Sequence, residues 1–191
     1  MATNGRRGPK QLRFRALVSD LKRSAGEVVD SRSRNKTDYS LTNSYTSAFA
    51  LFFFQDPSLL EFQRRFQQQT RRNNLQTLFD IHDIPSDTQL RDLLDYHDYT
   101  PLTDIYRLWF FRLQRSKYLE RFRVFGDRYL ITLDGSEYFN SEKVTCSHCL
   151  TRHKSNGHVE HYHQVLQPAL VHPDQSQVLP LAPAFIRRQD G

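Results

Sequence analysis

Three groups of side chains in this 191-residue chain have types and spacings suited to chemistry. The first is a single carboxylate, Asp134, in the β-prone run YLITLDGSEYF (129–139). Strand alternation puts Leu130, Thr132 and Asp134 on one face and Tyr129, Ile131 and Leu133 on the other. An acid at the end of a strand, next to Gly135, suits Mg²⁺ or Mn²⁺, because carboxylate oxygens match a hard cation and glycine lets a backbone or phosphate approach. The competing reading is that Asp134-Gly135 is simply a turn.

The second group is CSHCLTRHKSNGHVEHYH, in which Cys146-x2-Cys149 is followed by His153, His158, His161 and His163. Zn²⁺ takes four tetrahedral S or N ligands, and a C-x2-C turn supplies two of them. His158 and His163 leave suitable loop lengths for the other two, with His153 and His161 nearly as good and His148 pointing away. Zinc there would stiffen the segment 145–163; the alternative is a pair of structural thiols in a polar loop with solvent-facing histidines. The third group is RRFQQQTRR, where Arg64, Arg65, Arg71 and Arg72 stand without an acid between them. Such a run makes a local positive field for phosphate, or a solvated helix face.

Composition narrows what these groups serve. The chain is 38% hydrophobic with 14 Phe and 9 Tyr, enough for a core in one domain or one and a half. Lys and Arg number 27 against 21 Asp and Glu, a formal +6, which favours an anionic partner such as nucleic acid. The N-terminus has no apolar core of secretory type, and AFALFFF (48–54) is far too short to span a bilayer, so a cytoplasmic protein with no membrane partner is expected. With two cysteines, thiols or metal ligands are expected rather than a disulfide framework.

The elements that must position these groups fall into two compositions. Residues 1–11 read as a basic flexible arm and 12–123 as all-helical. Within the helical part, 12–25 carry helical spacing and 30–38 read as a loop. Ser40 caps a helix to about Phe54, and Pro57 opens the next. NNLQTLFDI is a short helix, Ser86 and Gln89 form a capping box, and Thr100-Pro101 start a helix running to about residue 122. In that last helix Trp109, Phe110 and Leu113 fall at core spacing. The pair of helices around Pro85 has a helix-turn-helix outline, with Gln89 and Arg91 placed for base or phosphate contacts. Asp87, Asp92 and Asp95 on the same helix repel phosphate, so a structural helical hairpin competes. From 124 onward three antiparallel strands are expected, RYLITL, YHQVLQPALV (162–171) and QVLPLAP (177–183). Pro168 is expected to shorten or bulge the second of them.

In order and spacing, ITLDGSEYFNSEK, CSHCL, YHQVL, VHPD and VLPLAP, preceded by YS, SAFALF, DPSLLEF, NNLQTLF and IPSDTQLR, resemble DDE transposases of bacterial insertion sequences, from about residue 12 to the C-terminus. The resemblance implies an α+β chain whose helical region binds DNA and whose residues 124–191 open a ribonuclease H-like catalytic domain interrupted by the Cys/His-rich insertion. It maps Asp134 onto the first of three metal-binding carboxylates, which hold two Mg²⁺ or Mn²⁺ ions for phosphodiester cleavage and strand transfer. It also implies transposon ends and target DNA as partners, a homo-oligomer or full-length transposase, and a location at the bacterial nucleoid.

A ribonuclease H-like site also needs an Asp on a fourth strand and a Glu on a later helix, whereas the sequence stops at Gly191 after its third strand. Asp190 has no strand to hold it opposite Asp134, and Glu137 is expected to be solvated or salt-bridged. The expectation is therefore a transposase fragment that does not cut DNA alone. The alternative is a non-catalytic truncated DNA-binding protein that occupies transposon ends or inhibits transposase.

Overall fold

The computed structural model describes residues 10–32, 38–66 and 69–188, the side chains of 69–73 excepted. Helices come first and an antiparallel sheet follows, so the chain is α+β. It divides into two compact units, 1–116 and 117–191.

The first unit contains α1 (Phe14–Gly26), α2 (Leu41–Phe53), α3 (Leu59–Phe66), α4 (Gln69–Phe79), α5 (Asp87–Tyr96) and α6 (Thr100–Arg115). Short polar side chains set several of the starts. The Ser40 hydroxyl accepts the Asn43 N–H at the head of α2, and Ser86 and Gln89 satisfy each other's backbone in a full capping box at α5. At α3 the cap is Ser58, whose hydroxyl accepts the Glu61 N–H, so the helix begins after Pro57 rather than at it. The last helix is shorter than its periodicity suggests. Ser116 closes α6 by donating to the Arg112 carbonyl, Lys117 takes a left-handed conformation, and a separate 3₁₀ turn covers Tyr118–Phe122.

Two apolar clusters hold this unit. The larger joins Val18, Ala50, Leu51, Phe62, Phe66, Leu75, Phe79 and Ile81. At its centre the fully buried Phe79 ring meets Phe14, Phe49, Phe53 and Phe54 at centroid distances of 5.4–6.1 Å, mostly edge to face. Such contacts add about 0.5–1.5 kcal/mol each beyond the area they bury. Trp109 joins by an edge contact with Phe49 at 6.2 Å, in keeping with its core spacing. The smaller cluster packs Ala25, Val28, Leu41 and Tyr45 against Leu93, Leu94 and Leu102.

The second unit is a sheet of β1 (Arg123–Val124), β2 (Arg128–Ser141), β3 (Leu150–His153), β4 (Val159–Val171), β5 (Leu179–Pro180) and β6 (Ala184–Ile186). β2 covers one edge of β4 from His161 to Val171, while β3, β6 and β5 share the other edge in succession. Pro168 does not break β4. Its carbonyl accepts the Leu181 N–H, so its missing N–H faces that same side, away from β2, and the ladder to Leu133 continues. The interruption appears instead in the neighbouring strand, which splits into β5 and β6 opposite residues 167–168. There the Gln167 side-chain amide donates to the carbonyls of Pro168 and Leu181.

Two measurements test this architecture. Phe79→Ala empties the centre of the aromatic cluster and is expected to lower unfolding free energy by about 3–5 kcal/mol in a denaturant titration. Asp30 receives two N–H bonds from the Arg32 guanidinium, at 2.8 and 2.7 Å. This hydrogen-bonded partner is the largest influence on the Asp30 carboxyl and holds it down at about 2, against an ordinary 3.8. The depressed value means that the pair stabilises the fold above about pH 4 and that this is lost as pH falls through 2. The Tm difference between the wild type and Asp30→Asn, worth about 1 kcal/mol or less for so open a pair, is expected to close over that interval.

Candidate metal centre

The cysteine and histidine cluster is assembled by the β3–β4 hairpin and the loop before it. The Cys149 N–H donates to the Cys146 carbonyl, and the Cys146 N–H points to the Cys149 sulfur at 3.2 Å, so the C-x2-C segment curls with both thiols on one side. In the hairpin Leu150 pairs with Tyr162, and one more step of that register sets Cys149 across from His163. The His163 Nε2 lies 3.3 Å from the Cys146 sulfur and 3.4 Å from the Cys149 sulfur, and the two sulfurs are 3.6 Å apart. Cys146, Cys149 and His163 therefore form a group that could hold a metal ion.

Burial pushes the Cys149 thiol up, but hydrogen bonds from the Cys146 backbone and thiol and from Thr145 outweigh it and bring the net value below the ordinary range. That favours the thiolate, the form that ligates metals. The His163 ring is held from the β2 side. A register shift between Glu137 and Phe139 brings two successive aromatic residues to it, with Tyr138 stacked at 5.8 Å and Phe139 tilted at 5.6 Å.

His158, the expected partner of His163, is not in this group. Its Nδ1 lies 3.0 Å from Glu142, at the end of a chain of alternating charges. Along that chain Glu137 pairs with Arg152, Arg152 with Glu160, Glu160 with Lys154, and Lys154 with Glu142. Arg152 also lies 4.8 Å over the Tyr162 ring. Strand alternation explains the division: Arg152, Glu160 and Tyr162 share one face of the hairpin, and Cys149, Thr151, His161 and His163 share the other. Loop length alone carries no information about which face a residue occupies, and this is why His158 looked suitable. His148 is exposed between the cysteines, and His153 stands at the far end of β3.

Asp134 is placed differently from its sequence reading as a strand-end acid. β2 continues seven residues beyond it to Ser141, so Asp134 stands within the strand, opposite Gln167, and Asp134-Gly135 is not a turn. Its carboxylate is exposed, with the Ser136 hydroxyl 3.4 Å away. It belongs to no cluster of three or more ligating groups among the described residues. Glu137 is bound to Arg152 and Asn140 rather than lying free beside it. Asp190 lies outside the described residues.

The arginine edge is only partly available. Arg65 is held by Asp56 at 2.6 Å and Glu61 at 2.9 Å, whereas Arg64 is exposed. The side chains of Arg71 and Arg72 lie outside the described residues. The Gln89 side-chain carbonyl is committed to the Ser86 cap, and Arg91 is exposed. The α4–α5 connection runs from Asp80 to Ser86, longer than the 3–4 residues of a helix-turn-helix turn, which fits a plain helical hairpin better.

A basic cleft that the sequence reading missed lies between α1 and α6. Gln11, Asp20, Arg23, Leu108, Phe111, Arg112 and Arg115 surround a space of about 310 Å³. At its wall the buried Asp20 accepts bonds from Arg112 and from Arg23, and Arg112 also donates to the Gln11 carbonyl. Because the acid and its main partner are 92 residues apart, no local motif announces the site. Arg112→Met would leave a buried carboxylate with one partner fewer, and a loss of about 3–5 kcal/mol in thermal or chemical unfolding is expected. No family model, curated protein or solved structure matches the chain.

Proposed function

We propose that this chain acts in DNA transposition, as the DNA-binding helical unit and the opening strands of a ribonuclease H-like domain of the DDE transposase type. The observation that carries this reading is the setting of Asp134. It is an exposed acid within the first long strand of an antiparallel sheet in which β4 lies beside β2, and β5 and β6 lie beyond β4. Glu137, Glu142 and Glu160 in the same sheet are tied into ion pairs, while Asp134 is left with a hydroxyl neighbour. An acid kept out of the ion-pair chain retains its oxygens for a hard cation. Asp134 would hold Mg²⁺ or Mn²⁺ together with further acids, and the chemistry such ions would supply is activation of the attacking oxygen and stabilisation of the leaving one. Asp134 contributes one carboxylate to such a site, and the remaining acids have to be supplied in cis or trans.

The formal charge of +6 and the arginines of the α1–α6 cleft support contact with the DNA backbone. Asp134 belonging to no ligand cluster among the described residues keeps a second reading open, a DNA-binding product that occupies transposon ends without cutting. For Cys146, Cys149 and His163 we propose Zn²⁺. With Zn–S near 2.3 Å and Zn–N near 2.0–2.1 Å, a tetrahedral ion separates two sulfurs by about 3.8 Å and a sulfur from a nitrogen by about 3.6 Å. The observed 3.6, 3.3 and 3.4 Å are close to those values.

The test is duplex binding by fluorescence anisotropy over a salt series, with a plasmid-nicking assay in Mg²⁺ and Mn²⁺. Binding that weakens steeply with salt, with no nicking by the chain alone, is expected. No binding even at low salt would count against any DNA function. Metal-dependent nicking abolished by Asp134→Asn would show that the chain is catalytic by itself.

A further inference from the structure

The three-ligand group leaves a tetrahedral zinc ion one donor short, and the sheet register identifies a candidate for the place. On β4, His161 and His163 are two residues apart and project from the same face. Across the hairpin Thr151 pairs with His161, one step from where Cys149 meets His163. His153 shares that face but pairs with Val159 a further step away. Along a strand these steps amount to about 7 Å and about 13 Å respectively. His158 is held by Glu142 at the hairpin end, and His148 is exposed in the C-x2-C turn.

An independent feature singles out His161. Its Nδ1 is buried and has no hydrogen-bond partner among the described residues. A ring nitrogen taken out of water without a partner is a cost that native structures rarely leave uncompensated. A lone pair aimed at a metal would compensate it, because neutral imidazole ligates zinc through either nitrogen.

We propose that His161 is the fourth ligand, so that Cys146, Cys149, His161 and His163 close a Cys₂His₂ zinc centre. The inference rests on the zinc reading above and deepens it. Two imidazoles on alternate residues of one strand converge with two thiols from one curled loop. The His161 ring turns toward the thiols when the ion binds, since its ligating nitrogens lie outside the 4.8 Å group formed by the other three. A closed set of four protein donors leaves no position for water, which makes the centre structural rather than catalytic. The ion ties the loop before β3 to the middle of the hairpin.

The test uses the full chain, purified reduced, with Co²⁺ as the optical probe and Zn²⁺ competition for affinity. The wild type is expected to bind one ion with the intense ligand-field absorption of four-coordinate cobalt. His161→Asn is expected to weaken that absorption and to lower Zn²⁺ affinity by more than the roughly 10–100-fold that loss of an outer-shell partner costs. His148→Asn, His153→Asn and His158→Asn are expected to leave both unchanged. One bound ion in the wild type with unaltered affinity and spectrum in His161→Asn overturns the assignment of His161 and leaves the zinc reading standing. No metal bound by the wild type overturns both. Should His161→Asn fail to fold, His161→Cys decides the matter: sulfur-to-cobalt charge-transfer absorption stronger than that of the wild type, as a third thiolate requires, supports the assignment, and absorption no stronger than the wild type's overturns it.

Discussion

The antiparallel ladder between β2 and β4 is the constraint on which every feature of the sheet depends. It fixes which side chains of β2 and β4 share a face, and the β3–β4 ladder carries that division onto the hairpin, where the thiols and imidazoles are separated from the chain of ion pairs. It also sets Asp134 within a strand, where backbone pairing on the β4 side holds its Cα against Gln167. A single register shift near Tyr138 gives the ladder its one departure among the described residues, and that departure brings two aromatic rings to His163. Slipping this register by one residue would carry Asp134 and Glu137 to the opposite face and take Tyr138 and Phe139 away from His163.

In the helical unit, charge plays a different part. The arginines nearest one another in sequence are not those that act together. Arg65 is drawn to Asp56 and Glu61, whereas Arg23 and Arg112 meet at Asp20 from helices far apart in the chain. A buried acid of this kind fixes the guanidinium groups around it. Positive charge held in one orientation loses less entropy on meeting an anion than charge on free side chains does.

Much of the fold was legible in the sequence because its signals are local. Ser40, Ser86 and Gln89 act through hydrogen bonds three residues long, and the capping box at α5 has the form its residues imply. The change from helices to an antiparallel sheet was equally readable from composition. The candidate site was legible by residue type and not by partner. Cys146, Cys149 and His163 come together, while His158 stands apart beside Glu142 at the hairpin end, and that division requires the register. Pro168 misled for a related reason, since a proline disturbs only the edge toward which its nitrogen points. Asp134-Gly135 kept a turn reading open because the strand continuing beyond it is polar, with Ser136, Glu137 and Asn140 where apolar residues would have announced it.

The two faces of the β3–β4 hairpin are fastened by forces that answer to different solution conditions. The run from Glu137 to His158 is electrostatic and largely open to solvent, so dissolved ions screen it while leaving the sulfurs untouched. The opposite face carries Cys146 and Cys149 as free thiols 3.6 Å apart, and an oxidant that joined them would remove both sulfur donors in one event without altering a single surface charge pair. Salinity and oxidation thus act on opposite sides of the same short stretch of backbone.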